Sequence, residues 1–314
     1  MMKLVIGSVN FKTIPDYPVV AIGNFDGNHL GHQAILSQTV KRAVEKGGTS
    51  VVLTFEPHPI RMLHPEKKIK LLNPFQVKMR LVENAGIDVG YVADFNKSFA
   101  EYSPEKFAEF FLKEKIGCKE VVVGKNFRFG KDRAGSVEDL IAYGLTFGFK
   151  VSPQEPVIID GKTVSSSLIR QLIQDGDVVL AGKMLGKPYT LEGKVMHGDG
   201  HGKSIDYPTA NIPLPNEVAP KDGIYAVRVD CFKGKDYGTL SGVAYVGSKP
   251  TFENKAPRIE VHLFNFNADL YEQRIRITFI EKVREDQRFD NAEALVKQMG
   301  YDADRAKAIL GRFE

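Results

Sequence analysis

The segment Ile22-Gly23-Asn24-Phe25-Asp26-Gly27-Asn28-His29-Leu30-Gly31-His32-Gln33 decides how the first half of the chain is read. It follows the apolar run Val19-Val20-Ala21-Ile22, whose length suits a buried strand, and leads into Leu30, Ala34 and Ile35 at helical spacing. Strand, turn and helix are therefore expected in that order. His29 and His32 stand three apart where the helix begins, so both can face one point near its amino end. Free backbone N–H groups and the positive end of the helix dipole favour an anion such as phosphate at that point. Gly23, Gly27 and Gly31 permit a tight turn and close approach of a ligand. A glycine-rich connection carrying two surface histidines has the same pattern, and the turn alone leaves both readings open.

Working outward, Val51 to Phe55 predicts a second buried strand, stopped by Glu56-Pro57-His58-Pro59 because proline has no ladder donor. Asn73-Pro74 and Ser103-Pro104 each join a good N-cap to a proline at the first helical position, predicting helices to about Glu83 and Lys115. Val89 to Ala93 and Val121 to Gly124 read as strands, and Ser136 to Phe147 carries Val137, Leu140, Ile141 and Leu145 at helical spacing. This alternation predicts a Rossmann-like α/β domain, a parallel sheet with helices on both faces that binds ligands beyond the carboxyl ends of its strands. Three loops leave such ends: residues 23–31, 56–59 and 124–135. The last interleaves Lys125, Arg128, Lys131 and Arg133 with Phe127 and Phe129, which suits either a ligand with phosphate and a flat ring or a solvated loop. Val164 to Arg170 places hydroxyls at a helix start and Arg170 one turn later, as an N-cap or as a second phosphate clamp.

At 314 residues the chain exceeds the usual reach of a single core, so two domains are expected. Hydrophobic residues at 43% and charged ones at 26% are those of a globular protein rather than a disordered one. The 43 Lys and Arg against 39 Asp and Glu leave +4, too mild and too dispersed to argue for nucleic acid. Cys118 and Cys231 stand far apart, which predicts neither a disulfide framework nor a thiolate metal site. No stretch approaches a membrane span, and the cytoplasm is the expected location. After Leu185-Gly186-Lys187-Pro188 the pattern changes to period two, as in Tyr225 to Val229 and Ile275 to Phe279, with turns such as Lys233-Gly234-Lys235. About six strands and a helix from Ala292 to Met299 suggest a small closed or Greek-key β-barrel, giving domains at 1–186 and 187–314. Within it, His197 to Lys203 is a glycine-rich loop able to wrap phosphates, and Thr209 and Asn211 offer two oxygen-bearing side chains. In Ile259-Glu260-Val261-His262-Leu263 the Glu260 carboxylate faces away from Ile259 and Val261, as either an exposed strand residue or a general base.

Taken together, these motifs resemble the prokaryotic bifunctional riboflavin kinase/FAD synthetase family from about Val19 to Phe289. GNFDGNHLGH and VSSSLIR look like the family's two nucleotide motifs, with TFEPHP and GKNFRFG between them. GDGHGKSIDYPTAN looks like the kinase phosphate loop joined to its PTAN motif, VGSKPTF resembles the next signature, and IEVHLFNFNADLY resembles the strand of the catalytic glutamate. The resemblance implies a nucleotidyltransferase domain followed by a β-barrel kinase domain, which together convert riboflavin to FMN and FMN to FAD.

It also implies two sites. Gly23, Phe25, Asp26, His29, His32, Asn126, Ser166 and Arg170 would bind ATP for adenylylation, with the histidines on the α-phosphate and Ser166 and Arg170 on the departing pyrophosphate. Gly198, Gly202 and Lys203 would line the kinase's ATP, Thr209 and Asn211 would serve Mg²⁺, Glu260 would deprotonate riboflavin and Arg284 would lie near the flavin. The implied partners are ATP, riboflavin and FMN, without nucleic acid or membrane, in a monomer or weak homo-oligomer. The chain departs from the family at Lys203 and Lys249, where arginine is usual, at Asp206-Tyr207 in place of glycine-phenylalanine, and at Asn265 in place of aspartate. Because all of these lie in the kinase half, two narrower readings are set beside the bifunctional one: an adenylyltransferase with a weakened or silent kinase, and a non-catalytic flavin- or nucleotide-binding protein.

Overall fold

The computed structural model describes residues 1–7, 14–197, 207–214, 217–232, 238–247 and 258–313. They fall into two compact units, Met1–Ser166 and Ser167–Glu314. In the first, six parallel strands lie in the order β1-β4-β3-β2-β5-β6. They are β1 (Lys3–Ile6), β2 (Pro18–Ile22), β3 (Thr49–Glu56), β4 (Val89–Asp94), β5 (Glu120–Gly124) and β6 (Lys150–Gln154). The helical segments are α1 (Leu30–Glu45), α2 (Pro59–Leu63), α3 (Phe75–Asn84), α4 (Lys97–Ala100), α5 (Pro104–Lys106), a π-helix over Phe107–Lys115, and α6 (Val137–Phe147).

Every residue of β2 is buried, and its side chains divide with period two between the faces of the sheet. Val19 and Ala21 join Ile35 and Leu36 of α1 and Met79 and Val82 of α3. Val20 and Ile22 join Phe107, Phe111 and Leu112 of the π-helix and Leu140 of α6 on the opposite side. Helices thus cover both faces, as a parallel sheet requires. The expected strands and the α6 helix are present, and a capping box between Ser136 and Asp139 starts α6. Two edge strands escaped the sequence reading. β1 is short, and β6 is mixed in polarity and holds Pro153, which is tolerated on an edge. The single helix expected from Ser103 to Lys115 is instead one α-turn that widens into the π-helix.

A small hairpin, β7 (Ile158–Ile159) with β8 (Lys162–Thr163), precedes α7 (Ser166–Asp175), the helix at which the two units divide, and α8 (Val178–Leu185). The second unit then forms a six-stranded antiparallel sheet in the order β10-β13-β12-β11-β14-β9. Its members are β9 (Tyr189–Lys194), β10 (Ala210–Pro213), β11 (Gly223–Cys231), β12 (Leu240–Gly247), β13 (Arg258–Leu263) and β14 (Arg274–Glu285). Register shifts between β11 and β14 curl the sheet. The curl brings its edges together: Met196 donates to the Asn211 carbonyl at 2.8 Å, bridging the end of β9 to β10. The antiparallel barrel expected from period two is therefore present in curled form.

The last helix, α9, runs from Ala292 to Leu310 rather than stopping at Met299. Gly300 reads as a terminator in sequence, but Ala306, Ile309 and Leu310 beyond it pack on Ala226 and Val283 of the sheet. Arg284 on β14 reaches α9 as a fork, with Nε at 2.8 Å and Nη2 at 2.7 Å from the two carboxylate oxygens of the buried Asp302. Gln298 donates to the same carboxylate at 2.9 Å. Replacing Asp302 by Ala would leave Arg284 without its charge partner, and we expect a loss of about 3 kcal/mol in urea unfolding followed by far-UV circular dichroism.

Candidate functional sites

In the first unit β2 is the switch point: the chain steps from it to β3 on one side, and β5 pairs with it on the other. Ligands bind in such a crevice, at the carboxyl ends of the strands. There Gly23 donates to the Leu53 carbonyl at 3.1 Å, and the chain then turns through Phe25, Gly27 and Asn28 at φ of 50°, 83° and 43°. The left-handed backbone at Gly27 is one that glycine adopts without strain. Buried Asp26 accepts from the Leu72 amide at 3.0 Å and from the Asn73 amide at 3.2 Å, stapling the turn to the segment ahead of α3. Its carbonyl accepts from the Ser166 hydroxyl at 3.0 Å. The two motifs, 140 residues apart in sequence, are thus joined directly.

The histidines meet as expected. His29 is the N-cap of α1, and its Nδ1 accepts from the His32 amide at 3.3 Å, which leaves Nε2 to carry the proton. The two rings stack with centroids 3.6 Å apart, and Phe25 lies edge-on to His32 at 5.2 Å. A Cβ at Gly31 would stand 3.3 Å from the His29 ring, so glycine makes room for the stack. Burial first, and then the proximity of His29 and Lys78, hold His32 well below the usual histidine range. His32 Nδ1, Asn28 Oδ1 and Asn73 Oδ1 are buried without a hydrogen-bond partner among the described residues. Buried polar atoms are rarely left so, and a polar ligand in this crevice would satisfy them.

Asn126 is exposed in the turn after β5. In the same loop Lys125 and Lys131 pair with Glu155 at 2.8 Å and Glu101 at 2.6 Å, surface contacts worth little. Phe127 and Phe129 stack with centroids 5.7 Å apart. Phe55, at the carboxyl end of β3, joins Phe95, Phe99 and Tyr102, which follow β4, in a contiguous aromatic group. That group was missed in the sequence, although the density of aromatics from Phe95 to Phe111 signals it. Arg170 lies one turn beyond Ser166 in α7, within the second unit.

In the second unit Asn211 on β10 is the direct cross-strand partner of Glu260 on β13, and Tyr245 on β12 flanks Glu260 on its other side. Glu260 is half-buried, while Ile259 and Val261 are fully buried on the opposite face, as the alternation predicts. Arg258 Nε donates to Glu260 Oε1 at 2.6 Å, and Asn211 Nδ2 donates to the Thr209 carbonyl at 3.3 Å. The His262 Nδ1 lies 3.0 Å from the Pro208 carbonyl, and its ring tilts against Tyr207. Burial and the carboxylate of Asp286 push the Tyr245 phenol up to about 12. A cavity of about 580 Å³ is lined by Thr209, Val195, Val261, Leu263, Leu270 and Tyr271. Gly198, Gly202, Lys203, Asp206 and Lys249 lie outside the described residues. Asn265 sits at φ 52°, a left-handed position that asparagine favours.

A parallel α/β unit whose strand-to-helix turn gathers buried polar atoms at the carboxyl ends of its strands, followed by a curled antiparallel unit with a polar strand face, is the architecture of a two-domain nucleotide-handling enzyme. A family model for FAD synthetase matches residues 12–168, and one for riboflavin kinase matches residues 185–310. The chain belongs to the bifunctional riboflavin kinase/FMN adenylyltransferase family. It is 37% identical over 98% of its length to the member from Buchnera aphidicola, covering 98% of that protein. It is 33% identical over 99% of its length to that from Escherichia coli, covering 98%, and 38% identical over 92% to that from Bacillus subtilis, covering 91%. A solved structure from Streptococcus pneumoniae, titled a macrolide-efflux protein, is similar at a TM-score of 0.85 and 32% identity, over 96% of this chain and 97% of that one. Among the described residues no helix is long and apolar enough to cross a membrane.

Because burial disfavours the charged ring, the His32 imidazole is expected to stay neutral as pH falls through 6.5. Histidine side-chain NMR on the full chain would show this as a resonance that does not titrate in that range.

Proposed function

We propose a division of labour between the halves of this enzyme, whose two reactions are those of its family: phosphorylation of riboflavin to FMN and adenylylation of FMN to FAD. Residues 1–186 are assigned to adenylylation and 187–314 to phosphorylation. The matched ranges, 12–168 and 185–310, support this division, while the compact units part earlier, between Ser166 and Ser167, so that α8 folds with the second unit. Matches at 33–38% identity over nearly the whole chain favour the bifunctional reading over a silent kinase or a non-catalytic binder.

The single observation that carries the first assignment is the hydrogen bond from Ser166 to the Asp26 carbonyl, which ties the second motif to the histidine turn. In the proposed mechanism a phosphate oxygen of FMN attacks the α-phosphorus of ATP, and the bond to pyrophosphate breaks. His29 and His32, as neutral donors at the amino end of α1, stabilise the charge on the α-phosphate. Gly23 and Phe25 shape the turn, and Asp26 holds it in place. Ser166, Arg170 and Asn126 position the triphosphate, and the aromatic group of Phe55, Phe95, Phe99 and Tyr102 offers a platform for the flavin ring. Positioning and charge stabilisation suffice, because no covalent enzyme intermediate is needed.

For the kinase, Glu260 takes the proton of the ribityl hydroxyl as that oxygen attacks the γ-phosphorus of ATP and the bond to the bridging oxygen breaks to release ADP; Arg258 orients the Glu260 carboxylate. Gly198, Gly202 and Lys203 are assigned to the ATP phosphates. The neutral oxygens of Thr209 and Asn211 suit Mg²⁺ that takes its other ligands from phosphates and water. Such an ion would neutralise phosphate charge. Arg284 is assigned an indirect role, setting the β14 end near the flavin through its bond to Asp302. We further place the enzyme in the cytoplasm, as a monomer or weak homo-oligomer acting on small molecules and not on nucleic acid. The mild net charge and the two isolated cysteines support this.

Chromatography of products from riboflavin, ATP and Mg²⁺, and separately from FMN, ATP and Mg²⁺, tests the assignment. Glu260→Gln is expected to lower FMN formation at least about 10²-fold while FAD formation from FMN continues. The double variant His29→Ala, His32→Ala should show the opposite pattern, with a loss of about 10²-fold or more in FAD formation. Both activities falling together in folded protein would refute the two-site division.

A further inference from the structure

α3 carries a lysine where its periodicity calls for an apolar residue: Lys78 is 6% exposed and lies between the core positions Phe75, Met79 and Val82. Its ammonium lies at the carboxyl end of β3, with Nζ 3.3 Å from Thr54 Oγ1, 3.4 Å from the Phe55 carbonyl and 4.0 Å from a Glu56 carboxylate oxygen. It also sits over the Phe75 ring at 5.5 Å. These are long contacts for a buried cation, whose desolvation costs several kcal/mol on the usual scale. Thr54 in turn donates at 3.4 Å to the Asn24 carbonyl, within the turn between β2 and α1. A chain of donors therefore leads from Lys78 to the anion-binding turn. The charge also reaches the histidine pair, since Lys78 contributes to lowering His32. Burial lowers the Lys78 ammonium itself, against the opposing carboxylates of Glu56 and Asp26. A phosphate would oppose that lowering, so anion binding and lysine protonation reinforce each other.

We infer that Lys78 is a positioning residue of the adenylyl-transfer site, supplying from beneath the turn the positive charge that draws the ATP phosphates onto His29 and His32. The inference rests on the assignment of that turn to adenylyl transfer. It separates two tasks: the histidines donate hydrogen bonds as neutral groups, and a positive charge beside them comes from a side chain that the GNFDGNHLGH motif does not contain. A purely structural lysine would need only to be long and to fill space.

The test compares Lys78→Met, Lys78→Arg and Thr54→Val in the full chain, measuring kcat and KM for ATP in FAD formation from FMN, with riboflavin phosphorylation followed in the same preparations. Lys78→Met is expected to lower kcat/KM for ATP about 10²-fold, mainly through KM, and to leave riboflavin phosphorylation within about twofold. Lys78→Arg, which keeps the charge, is expected to recover to within about tenfold of the parent. Should Lys78→Met not fold, Thr54→Val carries the test: it removes the ammonium's hydroxyl partner without changing shape, and KM for ATP is expected to rise about threefold or more. Equal losses in the Met and Arg variants would overturn the inference, as would kcat/KM in Lys78→Met within about threefold of the parent. If the His29, His32 double variant kept full FAD synthesis, the site assignment itself would fail. If that variant were inactive and Lys78→Met were not, only the role of Lys78 would fall.

Discussion

The burial of β2 on both faces is the constraint on which the first half of the molecule depends. Five successive apolar residues that alternate between two helical layers cannot carry polar chemistry, so the first place where the chain can meet a charged ligand is the point at which it leaves the sheet. With β3 on one side and β5 on the other, that exit opens into a crevice. The left-handed backbone between Phe25 and Asn28 turns the chain sharply enough to start α1 there. The amino end of α1, whose first N–H groups have no carbonyl partner within the helix, is thereby aimed at the same point.

Two polar side chains hold the turn at that exit. Asp26 holds, through the amides of Leu72 and Asn73, and Ser166 holds through the Asp26 carbonyl. His29 caps the helix and stacks on His32, whose burial keeps it from charging. The second half solves a different problem on a different surface. A strand with one buried and one half-exposed face presents Glu260 beside Asn211 and Tyr245, with Arg258 on its carboxylate.

Much of this was legible in the residues. Period two separated the buried from the exposed faces of β13, and the spacing of His29 and His32 put them together at a helix start. Local rules served where local physics decided the outcome, as at the Ser103 cap and at the Glu56-Pro57 exit from β3. They failed where packing overrode them. Gly300 did not end α9, because the residues beyond it had a sheet to cover. The helix after Ser103 widened into a π-helix, and β6 formed on an edge despite Pro153.

The sequence by itself determined the alternation that builds each sheet and the order of the motifs, because these follow from side-chain period and backbone chemistry within a few residues. Only the tertiary structure decided which distant groups meet. It set Ser166 against the turn at Asp26, Asn211 across from Glu260, and Arg284 on Asp302. It also turned a lysine on the core face of α3 toward Thr54. The reason is that strand order and register bring together residues up to 140 positions apart, and no spacing along the chain encodes that proximity.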